Sequence, residues 1–357
     1  MKVLITAPSL DENRNVSGIS TVVRQIIEYG THEFSHFEAG RQDGNANKVR
    51  WLARQILLPI RFLRRIRSFS PDVIHINTAM TALAVCRDAV LVRTAKLVGK
   101  SVVLSVHGGK YLVEPFASGL LERIAGRMLL HSRFVLVLSE MERDLLLKRW
   151  PHLNIVVLPN AVPTNSALSR HTQNERPVII FLGRMHESKG LAEIVEALAT
   201  LKANGAEFVF RAYGDGPERD QFVSEMVRTL GESFEYGGVV SGSEKWDKLA
   251  AADIFLLPSR YGEGLPMAML EAMAAGCVVV ASDNASITSV VTDGENGYIV
   301  EPENGGQLAE TLTRLLEDRD GWKTVQDAAI ATVRDDFSLD KYIEKLDSIY
   351  ADAAKTN

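Results

Sequence analysis

Short apolar runs alternate with longer stretches of helical periodicity along the whole chain. The runs of the first half begin with KVLITA (2–7) and end with FVLVLS (134–139). After a polar stretch, Thr164–Arg176, the alternation restarts with PVIIFLG (177–183) and continues to CVVVAS (277–282). Continuous apolar strands alternating with helices are typical of parallel sheets covered on both faces. The pattern therefore predicts two doubly wound α/β units joined by a linker.

The length and composition of the chain fit this organisation. The chain has 357 residues, and single hydrophobic cores stop growing at roughly 250 to 300 residues. Its 46% hydrophobic and 24% charged residues are typical of soluble globular proteins. The two cysteines, Cys86 and Cys277, lie far apart in apolar stretches, which excludes a disulfide framework and a cysteine metal site. No run of about 18 uncharged apolar residues occurs, so we expect a cytoplasmic protein.

Charge is divided unevenly between the two halves of the chain. The net charge is −5, from 40 Lys and Arg against 45 Asp and Glu. Residues 1–170 hold 23 basic and 13 acidic residues, so their net charge is +10 and that of the remainder is −15. An acidic balance gives no reason to expect a nucleic-acid partner. The difference between the halves indicates that they meet different partners.

The basic excess is concentrated in residues 48–67, KVRWLARQILLPIRFLRRIR, with seven basic residues and no acidic one. At about 100° per residue the arginines form a stripe opposite apolar side chains, and Pro59 is expected to kink or split this helix. Two interpretations stay open: a helix packed on the sheet with a solvated arginine face, or a surface for an anionic membrane or a lipid-linked acceptor. The arginines of this patch are Arg50, Arg54, Arg61, Arg64 and Arg65.

The densest motif is SRYGEGLPMAMLEAMAAG (259–276), which begins as the apolar run DIFLLPS ends. Its glycines allow a loop to approach a ligand closely, and the run after them is strongly helical. Glu263 and Glu271 are eight residues apart, a little over two helical turns, so both carboxylates can reach one ligand. A glutamate facing solvent is the alternative, although Glu271 lies among Ala, Met and Leu. The amides expected to favour an anion at the start of this helix belong to Gly264, Leu265 and Met267.

Two cations flank a second strand-to-helix loop, in FLGRMHESKG (181–190). Arg184 can grip phosphate oxygens with its planar guanidinium, and Lys189 adds a compact charge. The ordinary interpretation of such a pair is that both cations are simply exposed to solvent. In a half with a net charge of −15, at the carboxyl end of a strand, they indicate instead a diphosphate site that needs no metal.

The first half carries weaker candidates at corresponding positions. Gly18 lies between the first strand and the first helix, where amides can meet a phosphate. His107 follows the strand SVVLSV, where a histidine can donate to a sugar or phosphate oxygen, although a merely satisfied loop histidine is the default. YGDGPER (213–219) lacks the third glycine of a dinucleotide fingerprint, so a tight turn near a nucleotide and a purely structural turn are equally good explanations. The sequence contains no G-x-S-x-G, complete P-loop or H-E-x-x-H, so it predicts no hydrolase nucleophile and no metal site.

The spacing of Glu263 and Glu271 in EGLPMAMLEAMAAG resembles the E-x₇-E motif of retaining glycosyltransferases of family 4. Arg184 and Lys189 match the Arg and Lys of that family, and Ser17-Gly18 matches its N-terminal glycine loop. PNAVPT (159–164) resembles the crossing into its second domain, with Ala161 where a glycine is usual. The resemblance implies the GT-B fold, in which two Rossmann-like domains face each other and a C-terminal helix returns to the first. The implied domains are an acceptor domain (1–164), a linker (165–176), a donor domain (177–336) and a helix (337–357).

The resemblance also implies roles for the candidate residues. Arg184 and Lys189 would bind the donor diphosphate and stabilise the leaving group, with Gly18 at the same phosphates. Glu271 would bind the ribose, and Glu263, Gly264, Leu265, Met267 and His107 would contact the donor sugar. The catalytic set would be Glu263, His107, Arg184 and Lys189.

These roles describe a metal-independent, retaining hexosyltransferase without a cofactor. It would move a sugar from a UDP- or GDP-sugar to a saccharide or lipid-linked acceptor in surface polysaccharide or glycolipid biosynthesis. We expect it at the inner face of the membrane, associated peripherally through residues 48–67. Two alternatives are a sugar-nucleotide epimerase on the same fold, which changes a sugar that stays attached to its nucleotide, and a non-catalytic subunit that only binds the donor.

Overall fold

The computed structural model describes residues 1–11, 17–40, 57–164, 173–284 and 286–355. The chain forms two compact units, one of Met1–Asn160 with Asp340–Asn357 and the other of Ala161–Leu339. Within the described residues each unit contains one six-stranded sheet in which every pair of neighbouring strands is parallel. The predicted fold class of two doubly wound α/β units is confirmed.

The first unit is a sheet in the order β2-β1-β3-β4-β5-β6. Its strands are β1 (Lys2–Ala7), β2 (Glu33–Glu38), β3 (Val73–Thr78), β4 (Ser101–Val106), β5 (Phe134–Val137) and β6 (Ile155–Val157). Its helices are α1 (Gly18–Tyr29), α2 (Leu58–Phe69), α3 (Ala82–Leu97), α4 (Lys110–Val113), α5 (Gly119–Leu130) and α6 (Glu140–Arg149).

The second unit is a sheet in the order β12-β11-β10-β7-β8-β9. Its strands are β7 (Val178–Leu182), β8 (Val209–Tyr213), β9 (Phe234–Tyr236), β10 (Ile254–Leu257), β11 (Val278–Ser282) and β12 (Tyr298–Val300). Its helices are α7 (Leu191–Ala203), α8 (Arg219–Leu230), α9 (Gly242–Ala250), α10 (Met267–Ala275), α11 (Gly305–Glu317) and α12 (Trp322–Asp336). The last helix, α13 (Leu339–Ala354), lies almost entirely in the first unit.

Each sheet reverses its strand order beside its first strand. In the first unit β2 lies on one side of β1 and β3 on the other, and in the second unit β8 and β10 flank β7. In open parallel sheets, ligands bind outside the carboxyl ends of the strands at this reversal point. The topology therefore brings the loops after β1 and β3, and those after β7 and β10, to the edges where chemistry is expected.

Helix α2 shows how the basic segment folds. Leu58, Phe62 and Ile66 follow one another at intervals of four residues and are buried against the first sheet. Burying a side chain such as Phe62 stabilises the fold by about 1.5–3 kcal/mol. Pro59 lies in the first turn of α2, where its missing N–H costs nothing, so it marks the start of this helix. Residues 48–56, on the other side of the predicted kink or split, lie outside the described residues.

Helix α13 packs on the first sheet, as expected for the returning C-terminal helix. The fully buried hydroxyl of Tyr350 lies 2.6 Å from Nδ1 of His75 on β3, and Nε2 of His75 lies 2.7 Å from the hydroxyl of Ser105 on β4. Burial lowers the pKa of His75 to about 3, so the imidazole is neutral near pH 7. The two hydroxyls thus satisfy both nitrogens of a buried neutral ring and tie the end of the chain to its first unit.

Removing the hydroxyl of Tyr350 should destabilise the first unit. Tyr350→Phe leaves a buried imidazole nitrogen without its partner, which costs about 1–3 kcal/mol. We expect this loss in urea denaturation, with faster amide exchange in α13. Tyr342 of the same helix is the matched control, because its hydroxyl has no hydrogen-bond partner among the described residues. Equal destabilisation by Tyr342→Phe and Tyr350→Phe would contradict the proposed contribution of the hydrogen bond.

Candidate functional site

The loops after β7 and β10 meet at the reversal point of the second sheet and bring two predicted residues, Lys189 and Glu263, together with Ser259. Oε1 of Glu263 accepts hydrogen bonds from Nζ of Lys189 and from Oγ of Ser259, the latter at 2.5 Å. Glu263 is only 8% exposed and Ser259 is fully buried. The structure thus brings Glu263 and Lys189, both assigned to the donor site from the sequence, into direct contact, and it buries Glu263.

Close backbone contacts hold the loops after β7, β8 and β10 against one another. Gly190, at the start of α7, has φ +70°, and a Cβ there would lie 1.9 Å from the carbonyl oxygen of Pro258. Gly214, after β8, has φ +131°, and a Cβ there would lie 1.8 Å from the carbonyl oxygen of Gly183. Both positions therefore require glycine. Packing against Gly183 thus accounts for the first glycine of the GDG turn.

Side-chain contacts join the same loops on either side of the Lys189–Glu263 pair. Arg260 donates from Nε to Oε1 of Glu193 at 2.8 Å, and its backbone N–H donates to the carbonyl of Ser188 at 2.9 Å. The hydroxyl of Tyr261 donates to Glu187 at 2.6 Å. These contacts link residues just before Glu263 to residues around Lys189, so they fix the distance between the two charged groups.

Glu271 lies in α10 and pairs with a cation that was not predicted. Its Oε1 accepts from Nζ of Lys245 on α9 at 2.5 Å, with side-chain exposures of 3% for Glu271 and 14% for Lys245. Glu271 is therefore not the solvent-facing glutamate of the ordinary interpretation. An ion pair this deeply buried is stable only if both charges stay paired, because each charge is expensive to desolvate alone.

The amino end of α10 and Arg184 complete this edge of the second unit. No side chain caps α10, whose N-cap residue is Pro266, and its first turn contains no acidic residue. Its first amides therefore remain suited to an anion. Leu265 and Met267 are buried beside it, and Gly264 is half-buried. Arg184 is exposed on the loop after β7.

The corresponding edge of the first unit contains a neutral polar network around His107. Nδ2 of Asn77 donates to the carbonyl of Thr6 at 2.9 Å, so Oδ1 of Asn77 faces Nε2 of His107, at 2.7 Å. Because Oδ1 only accepts, Nε2 of His107 carries the hydrogen. Burial lowers the pKa of His107 to about 4, so the ring is neutral near pH 7. Its Nδ1 is then a hydrogen-bond acceptor, whereas the sequence suggested a donor.

Gly18 and the basic patch also belong to the first unit. Gly18 opens α1, whose N-cap residue Ser17 makes no side-chain capping hydrogen bond to the described residues. Arg61 lies over the ring of Phe37 at 5.8 Å, and Nε of Arg65 donates to Ser35 at 2.8 Å. The remaining exposed arginine of the patch in α2 is Arg64, while Arg50 and Arg54 lie outside the described residues.

Two structural features are absent from the described part of the chain. No group of three or more His, Cys, Asp or Glu side chains there could hold a metal ion. No helix in the same ranges is long and apolar enough to cross a membrane.

Sequence reasoning missed Ser259, Lys245 and Asn77. Ser259 begins the densest motif, and its position directly after a buried strand was a usable signal. Asn77 ends a strand at a carboxyl edge, where polar residues are candidates. Lys245 lies in an ordinary polar helix, and no sequence pattern connects it to Glu271.

Two family models match consecutive parts of the chain. The model described as Glycosyltransferase Family 4 matches residues 35–166, and the model described as Glycosyl transferases group 1 matches residues 167–332. The chain belongs to glycosyltransferase family 4.

Curated relatives of this family 4 chain match it over parts of their length. The putative colanic acid biosynthesis glycosyltransferase WcaL of Salmonella typhimurium is 36% identical over 48% of this chain and 44% of its own. The phosphatidyl-myo-inositol mannosyltransferase of Mycolicibacterium smegmatis is 28% identical over 69% of this chain and 62% of its own. The putative teichuronic acid biosynthesis glycosyltransferase TuaC of Bacillus subtilis is 27% identical over 82% and 73%. The chain thus spans about half of the length of the first of these relatives.

Solved structures confirm the GT-B fold of this family 4 chain. Sucrose-phosphate synthase from Thermosynechococcus elongatus superposes with a TM-score of 0.83 over 100% of both chains at 16% identity. HepE of Anabaena in complex with UDP-glucose gives a TM-score of 0.78 over 99% of this chain and 100% of its own, at 17% identity.

A double-mutant cycle should separate stability from nucleotide binding at the Glu271–Lys245 pair. Lys245→Met leaves a buried carboxylate unpaired and should destabilise the second unit by about 3 kcal/mol, and adding Glu271→Gln should restore most of this loss. Urea denaturation measures both effects. If Glu271 binds the ribose, the double variant stays impaired in UDP binding, measured by calorimetry, despite its recovered stability. Independent, additive effects of the two changes would contradict the coupling of these residues.

Proposed function

We propose that this chain transfers a sugar from a UDP- or GDP-sugar to a saccharide or lipid-linked acceptor with retention of the anomeric configuration. The observation that carries the proposal is the cluster of Lys189, Glu263 and Ser259 at the reversal point of the second sheet. It combines a cation suited to a phosphate with a carboxylate suited to sugar hydroxyls. A nucleotide sugar carries both groups next to each other.

The comparisons support a role in surface polysaccharide or glycolipid biosynthesis. WcaL and TuaC are named for colanic and teichuronic acid biosynthesis, and the mycobacterial relative for transfer to a phosphatidylinositol. HepE structures contain UDP, UDP with glucose, or UDP-glucose. These names and ligands belong to those proteins, and they make a nucleotide-sugar donor the first class to test here.

In the proposed complex the diphosphate binds Arg184 and Lys189, with the helix starts at Gly18 and Met267 contributing amides. Glu271 accepts the ribose hydroxyls. Glu263 and His107 contact the donor sugar, His107 through its acceptor Nδ1. Two cations and two helix termini supply the positive charge that other phosphate sites take from a metal, so we propose a metal-independent reaction without a cofactor.

The proposed reaction occurs on one face of the donor sugar. The bond from the anomeric carbon to the phosphate oxygen breaks, and the acceptor oxygen forms the new bond on the same face. The acceptor proton passes to the leaving phosphate, so atoms and charges balance. Arg184 and Lys189 lower the barrier because they stabilise the negative charge that develops on the departing diphosphate.

Loss of either cation should slow sugar transfer far more than it weakens binding of the nucleotide-sugar donor. In Arg184→Ala and Lys189→Ala, kcat should fall by about 10² to 10³, the usual effect of removing one charge-stabilising group. A thermal-shift panel of UDP- and GDP-sugars first identifies the donor, because a bound ligand raises the unfolding temperature. Nucleotide release then measures turnover, with Glu263→Ala as a third variant and the exposed Arg228→Ala as the control.

Other outcomes of this assay would contradict a stated part of the proposal. Unchanged turnover in all three variants would refute the residue assignment. A changed sugar still attached to its nucleotide, detected by NMR, would identify an epimerase. Donor binding without any turnover would identify a binding subunit, and inversion at the anomeric carbon would refute retention.

We further propose that the basic patch of residues 48–67 binds an anionic membrane surface. Arg61 and Arg64 lie on the exposed side of α2, beside the exposed apolar side chains of Leu57 and Ile60. Basic residues near an anionic surface contribute about 1 kcal/mol each. Arg61→Glu/Arg64→Glu should therefore reduce co-sedimentation with phosphatidylglycerol vesicles about tenfold or more, and equal co-sedimentation of variant and parent would refute membrane binding by this patch.

A further inference from the structure

A cavity of about 630 Å³ opens at the amino ends of β4, β5 and β6 in the first unit. Its lining comes from the segments that lead into these strands, residues 99–102, 129–133 and 152–154, and from Lys96 in α3. His107 follows the opposite, carboxyl end of β4. The six residues of that strand separate the cavity from His107 by roughly 20 Å. The cavity is therefore not part of the proposed sugar-transfer site.

Basic side chains of three successive helix-to-strand connections converge on this cavity. Lys96, Lys100, His131, Arg133 and His152 line it, and no Asp or Glu is among its described lining residues. None of these five side chains forms an ion pair with another residue of the described ranges. Arg133 lies over the ring of Phe134 at 5.7 Å. The cavity thus concentrates positive charge that no described residue neutralises through an ion pair.

Helix dipoles account for only part of this concentration. Lys96 lies in the last turn of α3, and His131 is the C-cap residue of α5, where a cation is favoured by up to about 1 kcal/mol. Lys100, Arg133 and His152 lie beyond the helix ends, in the segments before β4, β5 and β6. These three need a different explanation, and an anionic ligand in the cavity provides one.

Exposed apolar side chains adjoin the basic cavity. Leu130 lines it and is 50% exposed, and Leu97, next to Lys96, is 76% exposed. Val98 beside them is 37% exposed. Apolar side chains of this kind contribute nothing to the binding of a free inorganic anion. A phosphate attached to acyl chains would place its charge among the cations and its apolar part against these leucines.

We propose that this cavity binds the phosphate head group of a membrane lipid. Lysine and arginine donate charge-assisted hydrogen bonds to phosphate oxygens, and protonated histidine adds to the same charge. None of the lining residues belongs to α2, and the proposal does not depend on the sugar-transfer activity. It would attach the first unit to the bilayer through one defined lipid in addition to any diffuse attraction.

Vesicle co-sedimentation of the full chain tests the site. Phosphatidylcholine vesicles with phosphatidic acid should bind the protein, and vesicles of phosphatidylcholine alone should bind it weakly. Lys100→Glu/Arg133→Glu should reduce binding to the first vesicles about tenfold or more. Leu97→Ser/Leu130→Ser should also reduce binding, although it leaves the charge unchanged. Vesicles should protect Lys96 and Lys100 from acetylation, with the exposed Lys323 of the second unit as reference.

Matched variants in the second unit control for charge and surface apolarity. Arg228→Glu/Lys323→Glu makes the same change of charge, and Val227→Ser/Val239→Ser the same kind of apolar loss, at exposed positions. Equal losses in these controls would overturn the site and leave only diffuse attraction. Binding that depends on Arg61 and Arg64 but not on the cavity would overturn it too. Protection of the lysines by glycerol phosphate but not by vesicles would replace the lipid with a soluble phosphate ligand.

Discussion

Burial of two carboxylates near the carboxyl ends of the second sheet determines how the surrounding loops are built. Glu263 and Glu271 are 8% and 2% exposed, and a carboxylate so far from water needs charged or hydrogen-bonding partners. Lys189 reaches Glu263 from the loop after β7, and Lys245 reaches Glu271 from α9. Three chain segments distant in sequence must therefore meet. The loop after β7 can approach the loop after β10 closely because Gly190 lets its backbone pass Pro258.

The two units place different chemical groups at the reversal points of their sheets. At the reversal point of the first sheet, Thr6, Asn77 and His107 form a network of neutral groups. At the second, the buried carboxylates are each balanced by a cation. The excess of acidic residues in the second half of the chain is thus not located in its site, where charges are paired. Neutral polar groups suit hydroxyls, and exchangeable ion pairs suit a ligand that carries its own charges.

Sequence patterns predicted what depends on local order and failed where contacts between distant segments decide. Strands β1 and β4 match their predicted limits, because continuous apolar runs specify them. The four edge strands were missed, since EFSHFE of β2 is polar and alternating and β6, β9 and β12 are only three residues long. Glu263 and Lys189 were found because each lies in a distinctive loop. The connection between Lys245 and Glu271 depends on how α9 packs against α10, which no local pattern encodes.

The ion pair of Lys189 and Glu263 also constrains which ligands can enter the proposed site. A ligand that offers hydroxyl groups alone can satisfy Glu263 only by leaving Lys189 without a counter-charge, which is costly for a group whose side chain is 22% exposed. A ligand with a phosphate next to a sugar replaces both partners at once. Because Ser259 holds Glu263 from the buried side, the carboxylate stays in position while Lys189 exchanges its partner. The pair would therefore select for the combination of groups that a nucleotide sugar presents, before any contact specific to the base or the sugar is made.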